Sequence, residues 1–145
     1  MKAYADTGFL CSLYCPDAHT SRAVTRMARQ ALPLPFVWLH QLELRNALRL
    51  RVFRGEISPV QRDASLNAML TDLSGGVLAV AAPPLAEVMI EAERLSALHS
   101  EVLGTRSLDV LHVACALVLG GNDFLTFDTR QGALARAAGL KVPVL

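Results

Sequence analysis

Between Asp109 and Leu119 the chain reads D-V-L-H-V-A-C-A-L-V-L, with His112 the only polar residue after the opening acid. A helix that is apolar on every side has no face to give to solvent and must be buried. Asp109, in its first turn, is therefore expected beside a core rather than in bulk water. Gly120-Gly121 stops the helix, Phe124-Leu125-Thr126 reads as a short buried strand, and Asp128 follows it. The stretch from Arg106 to Asp128 is thus a buried helix and strand bracketed by two carboxylates.

The length of 145 residues suits one domain, taken as residues 1–145, with a sizeable core. A hydrophobic content of 52% and a positive mean hydropathy exclude disorder and imply apolar surface beyond the core that a partner could cover. No uncharged apolar run approaches the roughly 18 residues of a membrane span. The opening M-K-A-Y-A-D puts an acid where a signal peptide needs its apolar segment, so a cytoplasmic protein with no membrane partner is expected. Cys11, Cys15 and Cys115 cannot all pair and show no zinc spacing, which leaves them as buried thiols. A net charge of +1 carries no global argument for nucleic acid. The bases are nonetheless mostly arginine, and Arg45, Arg49, Arg51 and Arg54 crowd one segment. Arginine is the better bidentate phosphate binder, although a solvated helix face accounts for such a cluster equally well.

In chain order, Ala3-Tyr4-Ala5 predicts a strand ending at Asp6, with Thr7-Gly8 turning into an apolar helix. An acid at the carboxyl end of a strand is where open α/β sheets place ligands, and Asp is also an ordinary N-cap. Residues 18–32 predict an amphipathic helix with Val24, Met27, Ala28 and Ala31 inward, and Phe36-Val37-Trp38 a strand. A helix over 39–53 has Leu39, Leu42, Ala47 and Leu50 as its expected inner stripe and Glu43 on the edge of it. A carboxylate there needs a cation, a metal or a neighbouring base. Ser58-Pro59 opens the next helix as N-cap and N1. A strand over 77–80 and a helix from Pro84 to Leu103 follow, with Leu85, Val88, Met89, Ala92, Leu95 and Leu98 inward. After Asp128 come a helix and a last strand at Lys141–Val144. Alternating strands and helices without repeats or linkers define an α/β layer fold with a mostly parallel sheet.

Singly, each acid has a structural explanation. Asp6 and Asp128 both end strands, however, and Asp109 heads the helix before the second of them. Strands flanking a topological switch point would bring these acids to one crevice, with Glu43 as a fourth. Several carboxylates at close quarters repel unless a cation neutralises them. An all-oxygen set suits Mg²⁺ or Mn²⁺ rather than zinc. Such a site can hydrolyse a phosphodiester with activated water as nucleophile.

The motifs Y-A-D-T-G-F-L (Tyr4–Leu10), L-E-L-R-N-A-L (Leu42–Leu48), D-V-L-H-V-A-C-A-L (Asp109–Leu117) and F-L-T-F-D-T-R (Phe124–Arg130), then A-x-x-x-G-L (Ala135–Leu140), occur in this order. Together they resemble a PIN-domain ribonuclease of the VapC type, the toxin of a toxin–antitoxin pair. The resemblance covers the whole chain. It implies a single PIN-like domain with a five-stranded sheet of order 3-2-1-4-5 flanked by helices. It implies a Mg²⁺- or Mn²⁺-dependent endoribonuclease that cleaves RNA by metal-activated water. Asp6, Glu43, Asp109 and Asp128 match the metal ligands, Thr7 matches the supporting hydroxyl, and Thr126 fits the Thr two residues before the last acid. Homodimerisation and a cognate antitoxin are implied as well. Arg106 and Arg130 flank the expected pocket as candidate RNA contacts, beside Arg45 and Arg49. His112 reads as a satisfied core histidine, and Asp123, before a strand rather than after it, is left outside the site.

A phosphoacceptor receiver domain would need adjacent acids after the first strand and a lysine after the last, and a haloacid-type phosphatase a second aspartate at Gly8. Neither is present. The remaining rival is a PIN-like module that binds RNA or a partner without cleaving.

Overall fold

Short apolar triplets separated by helical runs give short strands and longer helices. In the computed structural model, which describes residues 2–145, eleven elements follow one another. They are β1 (Ala3–Ala5), α1 (Thr7–Tyr14), α2 (Thr20–Met27), β2 (Leu34–Phe36), α3 (Trp38–Phe53), α4 (Pro59–Ser74), β3 (Leu78–Val80), α5 (Leu85–Leu103), α6 (Ser107–Val118), β4 (Asp123–Leu125) and α7 (Thr129–Ala137). They gather into two compact units. One joins the segment through Asp6 to Ala82–Val144, and the other is Thr7–Ala81.

In the first unit β1 and β4 pair in parallel, Ala3 with Asp123, Tyr4 with Phe124 and Ala5 with Leu125. All of these side chains are buried. The ladder ends where the N–H of Asp6 donates to the Leu125 carbonyl at 3.1 Å, so Asp6 lies at its carboxyl edge. Asp123 lies at the opposite edge, as its place before the strand implies. As expected, α6 is buried nearly all round: Asp109, Val110, His112, Val113, Ala114, Cys115 and Ala116 are all buried. Its end requires both glycines. Gly120 has φ +70°, and a Cβ at Gly121 would stand 2.9 Å from the Ala116 carbonyl oxygen. The buried face of α5 is Val88, Ala92 and Leu95, whereas Leu85, Met89 and Leu98 are exposed, contrary to the inner stripe read from the sequence.

In the second unit β2 and β3 pair in parallel. The N–H of Leu34 donates to the Val77 carbonyl, so the alternate residue, Pro35, turns its missing donor away from β3 and costs the ladder nothing. The strand therefore ends at Phe36, and Trp38 opens α3 instead of closing a strand. The inner stripe of α3 is Leu39, His40, Leu44 and Leu48. Leu42 and Leu50, expected inward, are exposed. The rotation is fixed by His40, whose Nδ1 accepts the N–H of Val37 at 3.1 Å while its ring stacks on Phe36. Likewise α2 is shorter than residues 18–32 and buries only Ala23. The α4 start is as read: Ser58 Oγ accepts the N–H of Gln61 at 3.1 Å, and the Gln61 side chain returns to the N–H of Ser58.

The fold is α/β with parallel strands; among the described residues they form two two-stranded ladders, β1–β4 and β2–β3, and the expected five-stranded order 3-2-1-4-5 is not confirmed. The adjacencies 3-2 and 1-4 are present. The fifth strand shrinks to one bridge between Lys141 and Asp123. Three-residue strands offer few ladder bonds, and Pro143 has no N–H with which to extend the last one. Among the described residues no helix is long and apolar enough to cross a membrane.

Candidate functional site

The carboxyl edge of the β1–β4 ladder collects three of the four acids into one polar network. Asp6, at the end of β1, is buried, and its Oδ2 accepts the Thr126 hydroxyl at 2.5 Å. The same Thr126 oxygen accepts the N–H of Asp128 at 3.0 Å. One hydroxyl therefore joins the Asp6 carboxylate, directly after β1, to the backbone of Asp128, three residues beyond β4. Its position follows from the parallel register, since Thr126 is the next residue after the Ala5–Leu125 pair, as Asp6 is on the other strand.

Asp128 caps α7, its Oδ1 accepting the N–H of Gln131 at 2.9 Å. Its side chain is 42% exposed, and Oδ2 faces the Arg106 Nη2 at 3.8 Å. Asp109 is buried in the first turn of α6, where the helix dipole favours negative charge. Its Oδ2 accepts the Arg106 Nε at 3.1 Å. The Gln131 side-chain amide, also buried, reaches the Asp109 carbonyl at 3.4 Å and ties α7 to α6. Arg106, just before α6, thus stands between Asp109 and Asp128. Hydrogen bonding and charge from Asp109, with a smaller contribution from Asp128, hold its guanidinium above its ordinary pKa.

An open pocket beside this network is lined by Arg106, Phe127, Asp128, Thr129 and Arg130. His112 is buried, and its Nδ1 shares a 2.8 Å hydrogen bond with the Tyr4 hydroxyl. That is a satisfied core histidine. Thr126 is more central than its place in the F-L-T-F-D motif alone implies, and Gln131, readable from sequence only as the partner of the Asp128 cap, adds a second tie.

Glu43 and Thr7 lie in the Thr7–Ala81 unit, where the Thr7 hydroxyl donates to Glu43 Oε1 at 3.0 Å. Thr7 is buried and follows Asp6 directly in the chain. Arg45 and Arg49 are on the same helix as Glu43. Arg45 returns to the Gln41 carbonyl at 3.0 Å, and Arg49 is exposed.

The donor set of carboxylates and hydroxyls, without thiolate or free imidazole, fits a hard divalent cation. Among the described residues no three His, Cys, Asp or Glu side chains form a ready-made metal cage. In its place the carboxylates of the first unit take Thr126, Arg106 and backbone N–H groups as partners, the arrangement that keeps like charges apart.

No protein-family model matches the sequence, and no curated protein matches it. Solved structures do. VapC20 of Mycobacterium tuberculosis, a sarcin–ricin loop cleaving toxin, superposes with a TM-score of 0.71 at 21% identity over 96% of each chain. VapBC2 of Rickettsia felis, bound to a DNA fragment from their promoter, gives 0.67 at 13% identity over 99% of this chain and 98% of the other. FitAcB of Neisseria gonorrhoeae gives 0.62 at 16% identity over 97% and 95%. The class is therefore an α/β fold shared with the toxin VapC20, with VapBC2 and with FitAcB. More narrowly, it is the PIN-domain fold of the VapC-type toxins, as the four sequence motifs imply.

Proposed function

We propose that the chain, as one PIN domain over residues 1–145, is a Mg²⁺- or Mn²⁺-dependent endoribonuclease and the toxin of a VapBC-type pair. The observation that carries this reading is the Thr126 hydroxyl. It joins the Asp6 carboxylate to the backbone N–H of Asp128 at the edge where α/β folds bind ligands, with Asp109 linked to the Asp128 carboxylate through Arg106. Asp6, Asp109 and Asp128 would hold the cation; the sequence motifs assign Glu43 as the fourth carboxylate, and the Thr7 hydroxyl orients it. When bound, such a cation supplies charge neutralisation and Lewis acidity toward phosphoryl oxygen and water.

The residues of the chain do the rest. Thr126 fixes the Asp6 carboxylate in one orientation. Asp128 divides its oxygens, Oδ1 to the helix cap and Oδ2 toward the pocket. Arg106 and Arg130 line that pocket and serve as phosphate contacts, and Phe127 offers a ring to an unpaired base. RNA as substrate is supported by the likeness of fold to VapC20, a sarcin–ricin loop cleaving toxin. An antitoxin and a second copy of the chain are the proposed partners. Apolar side chains left in the open support both, among them Phe53 on α3 and Ile90 and Val102 on α5. The compartment is the cytoplasm.

The test is RNA cleavage by the purified protein in Mg²⁺ or Mn²⁺, in EDTA, and with Asp6→Asn. Cleavage that needs the metal and is lost in a folded Asp6→Asn protein is the expected result. Equal cleavage by Asp6→Asn would remove Asp6 from the chemistry. The lack of a ready-made cage favours one rival, a PIN-like module that binds RNA or a partner without cutting. Metal-independent RNA binding with no cleavage would decide for it.

A further inference from the structure

Arg106 has no counterpart in the core of the network: its side chain is 69% exposed, yet it spends its polar atoms on two carboxylates from different elements. Its Nε sits 3.1 Å from Asp109 Oδ2 and its Nη2 3.8 Å from Asp128 Oδ2. The first contact is local, spanning three residues at the start of α6, and needs only one side-chain rotamer. The second reaches the cap of α7. A single positive charge therefore stands within reach of both carboxylates.

We infer that Arg106 is an exchangeable counter-ion, occupying the carboxylates in the cation-free protein and giving them up when a divalent cation binds. This rests on the metal-site reading above. The exchange is cheap in one direction and favoured in the other. An exposed ion pair contributes little, at most about a fivefold change in an equilibrium, because solvent screens it and ordering the side chain costs entropy. A divalent cation brings twice the charge to the same oxygens. The displaced guanidinium is already at the wall of the pocket shared with Arg130, so release frees a bidentate donor on the side from which a phosphate approaches. Arg106 is in this account a positioning residue. It keeps Asp109 and Asp128 from splaying before the cation arrives, and it sets how much cation is needed.

The measurement is Mn²⁺ affinity, read from the free-ion paramagnetic resonance signal, for the wild type, Arg106→Ala, Arg106→Lys and Asp109→Asn, each verified as folded by circular dichroism. Removing the competitor should tighten Mn²⁺ binding by about two- to fivefold in Arg106→Ala. Arg106→Lys, which keeps the charge without the two-pronged geometry, should fall between Arg106→Ala and wild type. Asp109→Asn should bind more weakly than wild type. If Arg106→Ala binds Mn²⁺ equally or more weakly while Asp109→Asn is impaired, the counter-ion role is overturned and the metal site stands. If Asp109→Asn binds as wild type does, or no protein binds Mn²⁺, the metal-site reading falls and this inference with it.

Discussion

Replacing Thr126 by valine keeps the shape of a 7% exposed side chain and removes only its hydroxyl. Two hydrogen bonds go with it, the donation to the Asp6 carboxylate and the acceptance from the N–H of Asp128. The first is charge-assisted and contributes about 1.5–3 kcal/mol, the second about 0.5–1.5 kcal/mol. Burial keeps water from fully replacing either, so Thr126→Val should cost about 2–4 kcal/mol. At about 2–4 °C per kcal/mol for a chain of this size, Tm should fall by about 5–15 °C. Thr126→Ser is the control. It keeps the hydroxyl and loses one buried methyl, worth about 1 kcal/mol. Thermal and urea unfolding followed by circular dichroism at neutral pH give both values. A Thr126→Val protein no less stable than Thr126→Ser would refute the claim that this hydroxyl joins the Asp6 carboxylate to the backbone of Asp128.

Two further outcomes follow from buried groups. Burial pushes the Cys115 thiol up to about 11, against a smaller opposing effect of a Tyr4 hydrogen bond. Burial together with the Asp72 carboxylate 2.7 Å away raises the Tyr14 phenol as well. Both groups hold their protons more tightly when folded, so their contribution is complete below the ordinary thiol value near 9 and declines as pH rises past it. Unfolding free energy should drop above pH 9, less steeply in Tyr14→Phe, and a pH-independent baseline would contradict both shifts. Tyr4→Phe removes the hydroxyl that pairs with His112 and should cost about 1–2 kcal/mol, while RNA cleavage per folded molecule is retained. A large loss of cleavage without a loss of stability would make His112 more than a core residue.

What the sequence carried and what it did not divide along a physical line. Asp6 was readable because it directly follows the apolar triplet Ala3–Ala5, and Asp128 because it caps the helix that begins one residue later. The start of α4 was readable because Ser58, Pro59 and Gln61 act through bonds spanning three residues, all inside one window of sequence. The face of α3 was not. Leu39, Leu42, Leu44, Leu48 and Leu50 supply two stripes of similar hydrophobicity, and the choice fell to His40, whose ring is held by Phe36 and Val37. On α5 the excess of apolar residues left Leu85, Met89 and Leu98 outside, because only Val88, Ala92 and Leu95 fit against the neighbouring helices. The extent of the sheet was not readable for a related reason, since apolar triplets announce strands without saying how many partners each can hydrogen-bond. The same limit governs the site. The identities of the acids are local information, whereas the sharing of Thr126 between Asp6 and Asp128, and of Arg106 between Asp109 and Asp128, spans as many as 120 residues. The Thr126 coupling is set by the parallel register of β1 and β4, which places residue 126 one step beyond the last paired residue and so opposite Asp6. A change that shifts that register by one residue would turn the Thr126 hydroxyl to the other face and disconnect the acids while leaving every one of them in the sequence.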